Sequence, residues 1–253
     1  MDFSTLHFAV DGDSITAGDQ WSGVVARSLG FASHYNVAVG SAVWYKRTLP
    51  TPAGEVTTQN WSDPDFAGIS DGWLPTEDPL ELQRRANNCA VVHVQRYLQA
   101  VAEGQTPVPD VFAFAMGTND LPEHLGRTRE ALMGKTLTEN PHLDLFTEAG
   151  AVRWCLQTIS EHFPDCRLFV LTPIPSARPE FCDKLEETAK VLRTVAGALS
   201  AQVIDCLHNC GISEKFEVPD APGRYLRDGL HPDRPGQELM GRYIAKEIRN
   251  NLF

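Results

Sequence analysis

A serine at position 14, an aspartate at 228 and a histidine at 231 supply the three side-chain types that acyl transfer requires. A serine hydroxyl is a weak nucleophile until an adjacent base takes its proton. Imidazole does this best when a carboxylate fixes its tautomer and steadies the imidazolium. The tetrahedral oxyanion that follows needs donors aimed at it, and the backbone N–H groups of Ser14 and Gly40 with the side-chain amide of Asn119 can supply them. Gly40 suits this role because a residue without Cβ lets the backbone approach a substrate closely. Each residue alone has an ordinary explanation: Ser14 can cap a helix, Asn119 can close a turn, and an Asp-x-x-His pair arises easily by chance. Packing does not demand all of them together.

These residues must be brought together by the elements that carry them. Apolar runs of strand length, Leu6–Val10, Tyr35–Val39, Val111–Ala115, Leu168–Leu171 and Gln202–Ile204, alternate with segments of helical period. Val152, Cys155, Leu156 and Ile159 fall on one helical face, as do Leu185, Ala189, Leu192 and Leu199. Met240, Ile244 and Ile248 mark a last helix that Pro235 opens. This alternation predicts an α/β fold with a parallel sheet of about five strands covered by helices on both faces. Ligands of such sheets bind beyond the carboxyl ends of the strands. The segments "GDSIT", "VGSA" and "MGTND" follow the first three strands, and "RDGLHPD" lies between the fifth strand and the last helix. Four separated segments therefore converge on one edge.

The opening stretch "FAVDGDSITAG", Phe8 to Gly18, also admits a different nucleophile. Asp11 and Asp13 follow an apolar run two residues apart, as in a haloacid-dehalogenase-like phosphatase, where Asp11 would attack phosphorus and Asp13 act as acid/base beside Mg2+. Asp228 and Asp233 would mimic its late acidic pair, but Asn119 and His231 would have no roles and no lysine is well placed for the phosphate. A third class, a non-catalytic glycan-binding module, leaves the activated serine without a use. Asp13 and Asp120 otherwise read as turn-holding residues.

Together, "GDSIT" with Ser14, Gly40 after the second strand, "GTND" with Asn119 and "DGLHPD" with Asp228 and His231 resemble the sequence blocks of the SGNH/GDSL hydrolase family. The order and approximate separations fit from Leu6 to Ile248. The resemblance implies a flavodoxin-like three-layer α/β/α fold and ester hydrolysis that needs no metal or other cofactor. Its substrates range over acetylated sugars, lipids and thioesters, so lysophospholipase and thioesterase activities stand beside deacetylation of a carbohydrate.

The 253 residues read as one domain, 42% hydrophobic and 22% charged, with a long irregular insertion near 48–79 rich in Pro, Gly, Asp and Thr. Trp44, Trp61 and Trp73 gather at that insertion and are candidates to stack on a sugar or acyl group; pinning a long loop to the body is their other use. A net charge of -11 argues against a surface that tracks a nucleic acid backbone, and no apolar run approaches the roughly 20 residues that span a bilayer. A small-molecule or carbohydrate ester is the expected partner; composition sets no oligomeric state. The N-terminus lacks the basic start, apolar core and cleavage site of a secretory signal, so a cytoplasmic location is expected for the chain as it stands. The six cysteines form no CxxC pair and read as reduced, mostly buried thiols. "DCLHNC" lacks the fourth ligand of a zinc site. The seven histidines other than His231 read as surface or packing residues.

Overall fold

The computed structural model describes residues 2–18 and 20–252. Five parallel strands form its main sheet: β1 (His7–Gly12), β2 (Ser33–Asn36), β5 (Val111–Ala115), β6 (Arg167–Leu171) and β7 (Gln202–Ile204), in the order β2-β1-β5-β6-β7. A separate antiparallel hairpin joins β3 (Thr48–Thr51) to β4 (Gly54–Thr57). The helices are α1 (Gln20–Leu29), α2 (Pro79–Ala86), α3 (Ala90–Ala102), the single turn α4 (Thr128–Ala131), α5 (Glu148–His162), α6 (Pro179–Ala198), the single turn α7 (Cys206–Asn209) and α8 (Arg234–Asn251). The parallel sheet covered by helices is what the strand and helix alternation predicts, and its strand order is that of the flavodoxin-like α/β/α sandwich the resemblance implies.

Strand periodicity divides the core into two layers, because successive side chains of a strand face opposite sides of the sheet. Phe112 and Phe114 pack with Tyr97, Leu156, Ile159 and Leu192 beneath α3, α5 and α6. Val111 and Ala113 face the other way with Phe8, Val10, Trp21 and Ile244, beneath α1 and α8. The helix faces expected from sequence are the buried ones, apart from the partly exposed Leu199. Pro235 lies in the first turn of α8, where Asp233 accepts from Gly236 N–H at 2.8 Å as the cap.

Two expectations need correction. The second strand begins two residues earlier than predicted and is assigned only to Asn36. Its hydrogen bonding nevertheless continues, since Val37 N–H donates to Val10 O at 2.9 Å and Val39 N–H to Gly12 O at 3.2 Å. The insertion is not irregular throughout: its first ten residues are the β3–β4 hairpin, which pairs Thr48 with Thr57 and Leu49 with Val56. Leu49 and Val56 are too few to display a strand period. From Thr58 to Asp78 the chain has no regular element, and polar side chains of α2 and the residue after it tie it down. Asn87 Nδ2 donates to Gly68 O at 3.0 Å and Arg84 Nε to Ala67 O at 2.9 Å.

Helices α1 and α8 cross closely because Gly241 carries no side chain: a Cβ there would lie 2.7 Å from Val24 Cβ and 2.9 Å from Trp21 O. Alanine favours a helix over glycine by about 1 kcal/mol, whereas overpacking a tight contact costs about 1–3 kcal/mol. Gly241→Ala is therefore expected to lower unfolding free energy in urea. A variant as stable as the wild type would show that the two helices separate without penalty.

Candidate active site

Strand β1 has β2 on one side and β5 on the other, so the chain leaves its carboxyl end at the point where strand order reverses, the usual ligand position in open α/β sheets. Ser14 stands there, half-buried, in a turn whose Asp13 carbonyl accepts from Thr16 N–H at 3.0 Å and Ala17 N–H at 2.8 Å. Gly12 must be glycine, since a Cβ would approach Ala115 O to 2.5 Å. His231 arrives from the far end of the sequence, and its Nε2 lies 2.9 Å from Ser14 Oγ. The opposite ring nitrogen, Nδ1, is 2.8 Å from Asp228 Oδ2, and the His231 backbone N–H donates to Asp228 Oδ1 at 2.7 Å. Because an ionised carboxylate only accepts, Nδ1 carries the proton and Nε2 presents a lone pair to the serine hydroxyl.

Partial burial alone would raise the Asp228 carboxyl, but hydrogen bonds from His231 and Leu230 outweigh it and hold the group below the usual carboxylate range. Arg178, at the start of α6, braces the same loop. Its Nε donates to Asp228 O at 2.9 Å, and its guanidinium lies 3.5 Å from Asp228 Oδ2. Sequence reasoning missed Arg178, for its only local signal is the following Pro179, which marks a helix start and says nothing of a partner fifty residues on.

Gly40 and Asn119 meet in one turn. Ala42 N–H donates to Val39 O at 3.3 Å, Ser41 has φ of 61°, and Asn119 Nδ2 donates to Ala42 O at 3.0 Å. A positive φ at the third turn position alone is the type II pattern, disfavoured for a residue with a Cβ. Asn119 Nδ2 has two hydrogens, so one stays available after the bond to Ala42. A Cβ on Gly40 would stand 3.9 Å from Ser14 Cβ and 3.4 Å from Asp71 Cβ. Asp71 belongs to the insertion, which thus supplies a wall of the site. The structure brings together Ser14, Asp228, His231, Gly40 and Asn119.

The three tryptophans separate. Trp44 is not a stacking surface: it is wholly buried, its ring 5.2 Å from Phe114 and its Nε1 donating to Met116 O at 3.2 Å. Trp61 packs on Phe66 and donates its indole N–H to Gln99, pinning the insertion to α3. Trp73 is 77% exposed, two residues from Asp71. Nor is Asp11 free to attack a phosphate, being fully buried with Oδ1 bound to Gly12 N–H and to His93 Nδ1, both at 2.8 Å. His93 is correspondingly neither a surface nor a mere packing residue.

Beneath the site lie three buried carboxyls that Asp228 does not resemble. Burial pushes Asp13 up to about 6 and Asp120, with the Asp13 charge nearby, up to about 7; Glu148 is raised as well, by burial and by Asp120. Asp13 accepts from Ile15 N–H at 3.0 Å, the turn-holding role expected of it, whereas Asp120 accepts from Trp44 N–H at 3.0 Å, 76 residues away, and so ties two segments together rather than holding its own turn.

The GDSL-like lipase/acylhydrolase family model matches residues 11–239. The chain belongs to this family of ester-hydrolysing enzymes. No curated protein matches the sequence. Among solved structures, a protein from Lactobacillus plantarum superposes with a TM-score of 0.64 at 16% identity, over 98% of each chain. A GDSL-like lipase, as it is termed, from Bacteroides ovatus gives 0.55 at 13% identity, over 98% of this chain and 99% of its own. An active-site mutant of a family two carbohydrate esterase from Clostridium thermocellum gives 0.52 at 14% identity, over 98% of this chain and 65% of its own.

Raised carboxyls invert the usual pH trend. Where Asp13 and Asp120 remain protonated in the native state, the unfolded chain, with carboxyls near 3.8, has already released those protons. Their contribution to stability is therefore full below about 4 and is lost as pH rises through about 6 to 7. Asp120→Asn, which keeps the acceptor for Trp44 N–H, should gain urea stability relative to wild type between pH 5 and pH 8. A constant difference across that window would contradict the assignment.

Proposed function

We propose that this protein is a serine esterase that removes small acyl groups, acetyl foremost, from a carbohydrate or similar polyol through an acyl-enzyme intermediate. The observation that carries the reading is the continuous chain from Ser14 Oγ to His231 Nε2 at 2.9 Å and from His231 Nδ1 to Asp228 Oδ2 at 2.8 Å. Ser14 attacks the ester carbonyl while His231 takes its proton, and Asp228 stabilises the imidazolium so formed. The Ser14 and Gly40 backbone N–H groups and the second amide hydrogen of Asn119 receive the oxyanion. His231 then protonates the leaving alcohol, and water repeats the attack on the acyl-enzyme.

Two features support a small acyl group and a hydroxylated alcohol. The Asp71 carboxylate lies 3.7 Å from the Cβ position of Gly40, and laying a long apolar chain over it would strip its water without a compensating bond. Trp73, two residues further along and exposed, would offer a sugar a face to stack on, while Asp71 would accept hydroxyl hydrogens. A carbohydrate esterase is among the proteins sharing the fold.

The reading predicts that Ser14→Ala and His231→Ala fold normally yet lose about a thousandfold or more in kcat. Asn119→Ala should lose about 100- to 1000-fold. Rates near wild type in the His231 variant would refute the base. Acid release measured across esters of increasing acyl length and acetylated sugars should peak at acetyl and be indifferent to EDTA. A maximum at long chains would favour the lysophospholipase or thioesterase alternative, and loss with EDTA a metal-dependent reaction.

A further inference from the structure

Behind the Gly40 turn runs a chain of three polar side chains that the acyl-transfer steps do not use. Asn88 Nδ2 donates to Gly40 O at 2.7 Å, Asn88 Oδ1 lies 3.0 Å from His93 Nε2, and His93 Nδ1 lies 2.8 Å from Asp11 Oδ1. All three residues are buried, with exposures of 0% for Asp11 and His93 and 1% for Asn88. Hydrogen-bond direction is fixed from Gly40 as far as the His93 ring. A carbonyl only accepts, so Asn88 turns its amide nitrogen to Gly40 and its oxygen to His93. His93 Nε2 must then carry a proton, which it donates to Asn88. Asp11 Oδ1, which also accepts from Gly12 N–H at 2.8 Å, secures the other side of the ring.

We propose that Asp11, His93 and Asn88 form a buried relay of positioning residues that anchors the Gly40 carbonyl, and with it the type II turn, and so keeps Gly40, whose own N–H lies on the preceding Val39–Gly40 peptide, seated where that donor meets the oxyanion; this rests on the acyl-transfer reading above. The turn needs such a restraint. Ser41 has φ of 61°, and rotating the 40–41 peptide to the type I arrangement would return it to negative φ while carrying the Gly40 carbonyl away from Asn88. Gly40, lacking a Cβ, would offer little resistance to that rotation. Packing does not explain the relay: the helix residues around His93 (Ala90, Val91, Val92 and Val94) are apolar and fully buried, and a leucine would fill the same place without a polar group to satisfy. The relay starts on β1, three residues before Ser14, and ends on the turn opposite it. It thereby ties the donor of the oxyanion site to the strand that carries the nucleophile.

The test compares Asn88→Ala, His93→Leu and His93→Gln in the full chain, with p-nitrophenyl acetate kinetics, thermal unfolding and inhibition by a small alkylboronic acid, whose tetrahedral serine adduct occupies the oxyanion site. Asn88→Ala and His93→Leu should lose about 10- to 100-fold in kcat with KM within about twofold, since displacing a catalytic donor weakens the transition state more than the ground state. The boronate inhibition constant should rise by the same factor. His93→Gln, whose amide N–H can still reach Asn88, should recover most of kcat. A purely structural role would instead lower the unfolding temperature while sparing kcat in the folded fraction, and that result overturns the relay. Equal damage from His93→Gln and His93→Leu would also overturn it, and this pair decides should Asn88→Ala fail to fold. Ser14→Ala, measured alongside, separates the two levels. Loss of turnover there with an intact Asn88→Ala removes the relay alone, whereas retained turnover in Ser14→Ala removes the esterase reading and the relay with it.

Discussion

The 2.9 Å contact between Ser14 Oγ and His231 Nε2 joins the end of the first strand to the segment before the last helix, 217 residues apart in sequence. A hydrogen bond of this length tolerates displacements of only a few tenths of an ångström, so whatever fixes its two ends is part of the site. The serine end is held by β1, paired on both sides within the sheet, and by the Asp13 turn. The histidine end is held by its own loop. Arg227 N–H donates to His231 O at 2.9 Å, Ala177 N–H to Gly229 O at 2.8 Å, and Asp233 caps α8 directly after it. Helix α8 then packs on α1, the helix that follows Ser14. The contact between the two helices at Gly241 thus sets the distance between the two ends of the chain.

Carboxylates around this contact fall into two populations. Asp228, partly exposed and receiving hydrogen bonds from its loop and the His231 ring, is stabilised as the anion. Asp13, Asp120 and Glu148, buried more deeply, are pushed toward the neutral form. Environment, not residue type, divides these roles. The negative charge beside the His231 ring therefore comes from Asp228, which touches it, whereas Asp13 and Asp120 accept backbone hydrogens and Glu148 accepts from the Thr188 hydroxyl.

Much of this was legible in the sequence where physical constraint was local. The strand Val111–Ala115 is buried on both faces and stands out as an uninterrupted apolar run, and the blocks around Ser14, Asn119 and His231 lie just past elements that periodicity can find. Helix α3 did not stand out, because Val91, Val92 and Val94 around His93 suit a strand as well as a helix. The relay from Asp11 to Gly40 was hidden for a different reason. His93 and Asn88 acquire meaning only from β1 and the Gly40 turn, which tertiary structure places beside them. Trp44 misled for the converse reason: an indole next to an irregular segment looks like a ligand platform until its N–H is seen bound to Met116 O inside the core.

The insertion is the part of the molecule least constrained by the sheet, yet Asp71 brings it to the face of Gly40 and Ser14. The insertion and the strand that leads to Ser14 are thus separate parts of one candidate site, and the proposal that Ser14 is the nucleophile concerns only the second. Intact-mass and peptide-mass analysis after treatment with a fluorophosphonate tests it most directly. The account predicts one adduct per chain, on Ser14, formed at a rate that collapses when His231 is replaced. Labelling at another residue, or at Ser14 with a rate indifferent to His231, would contradict it.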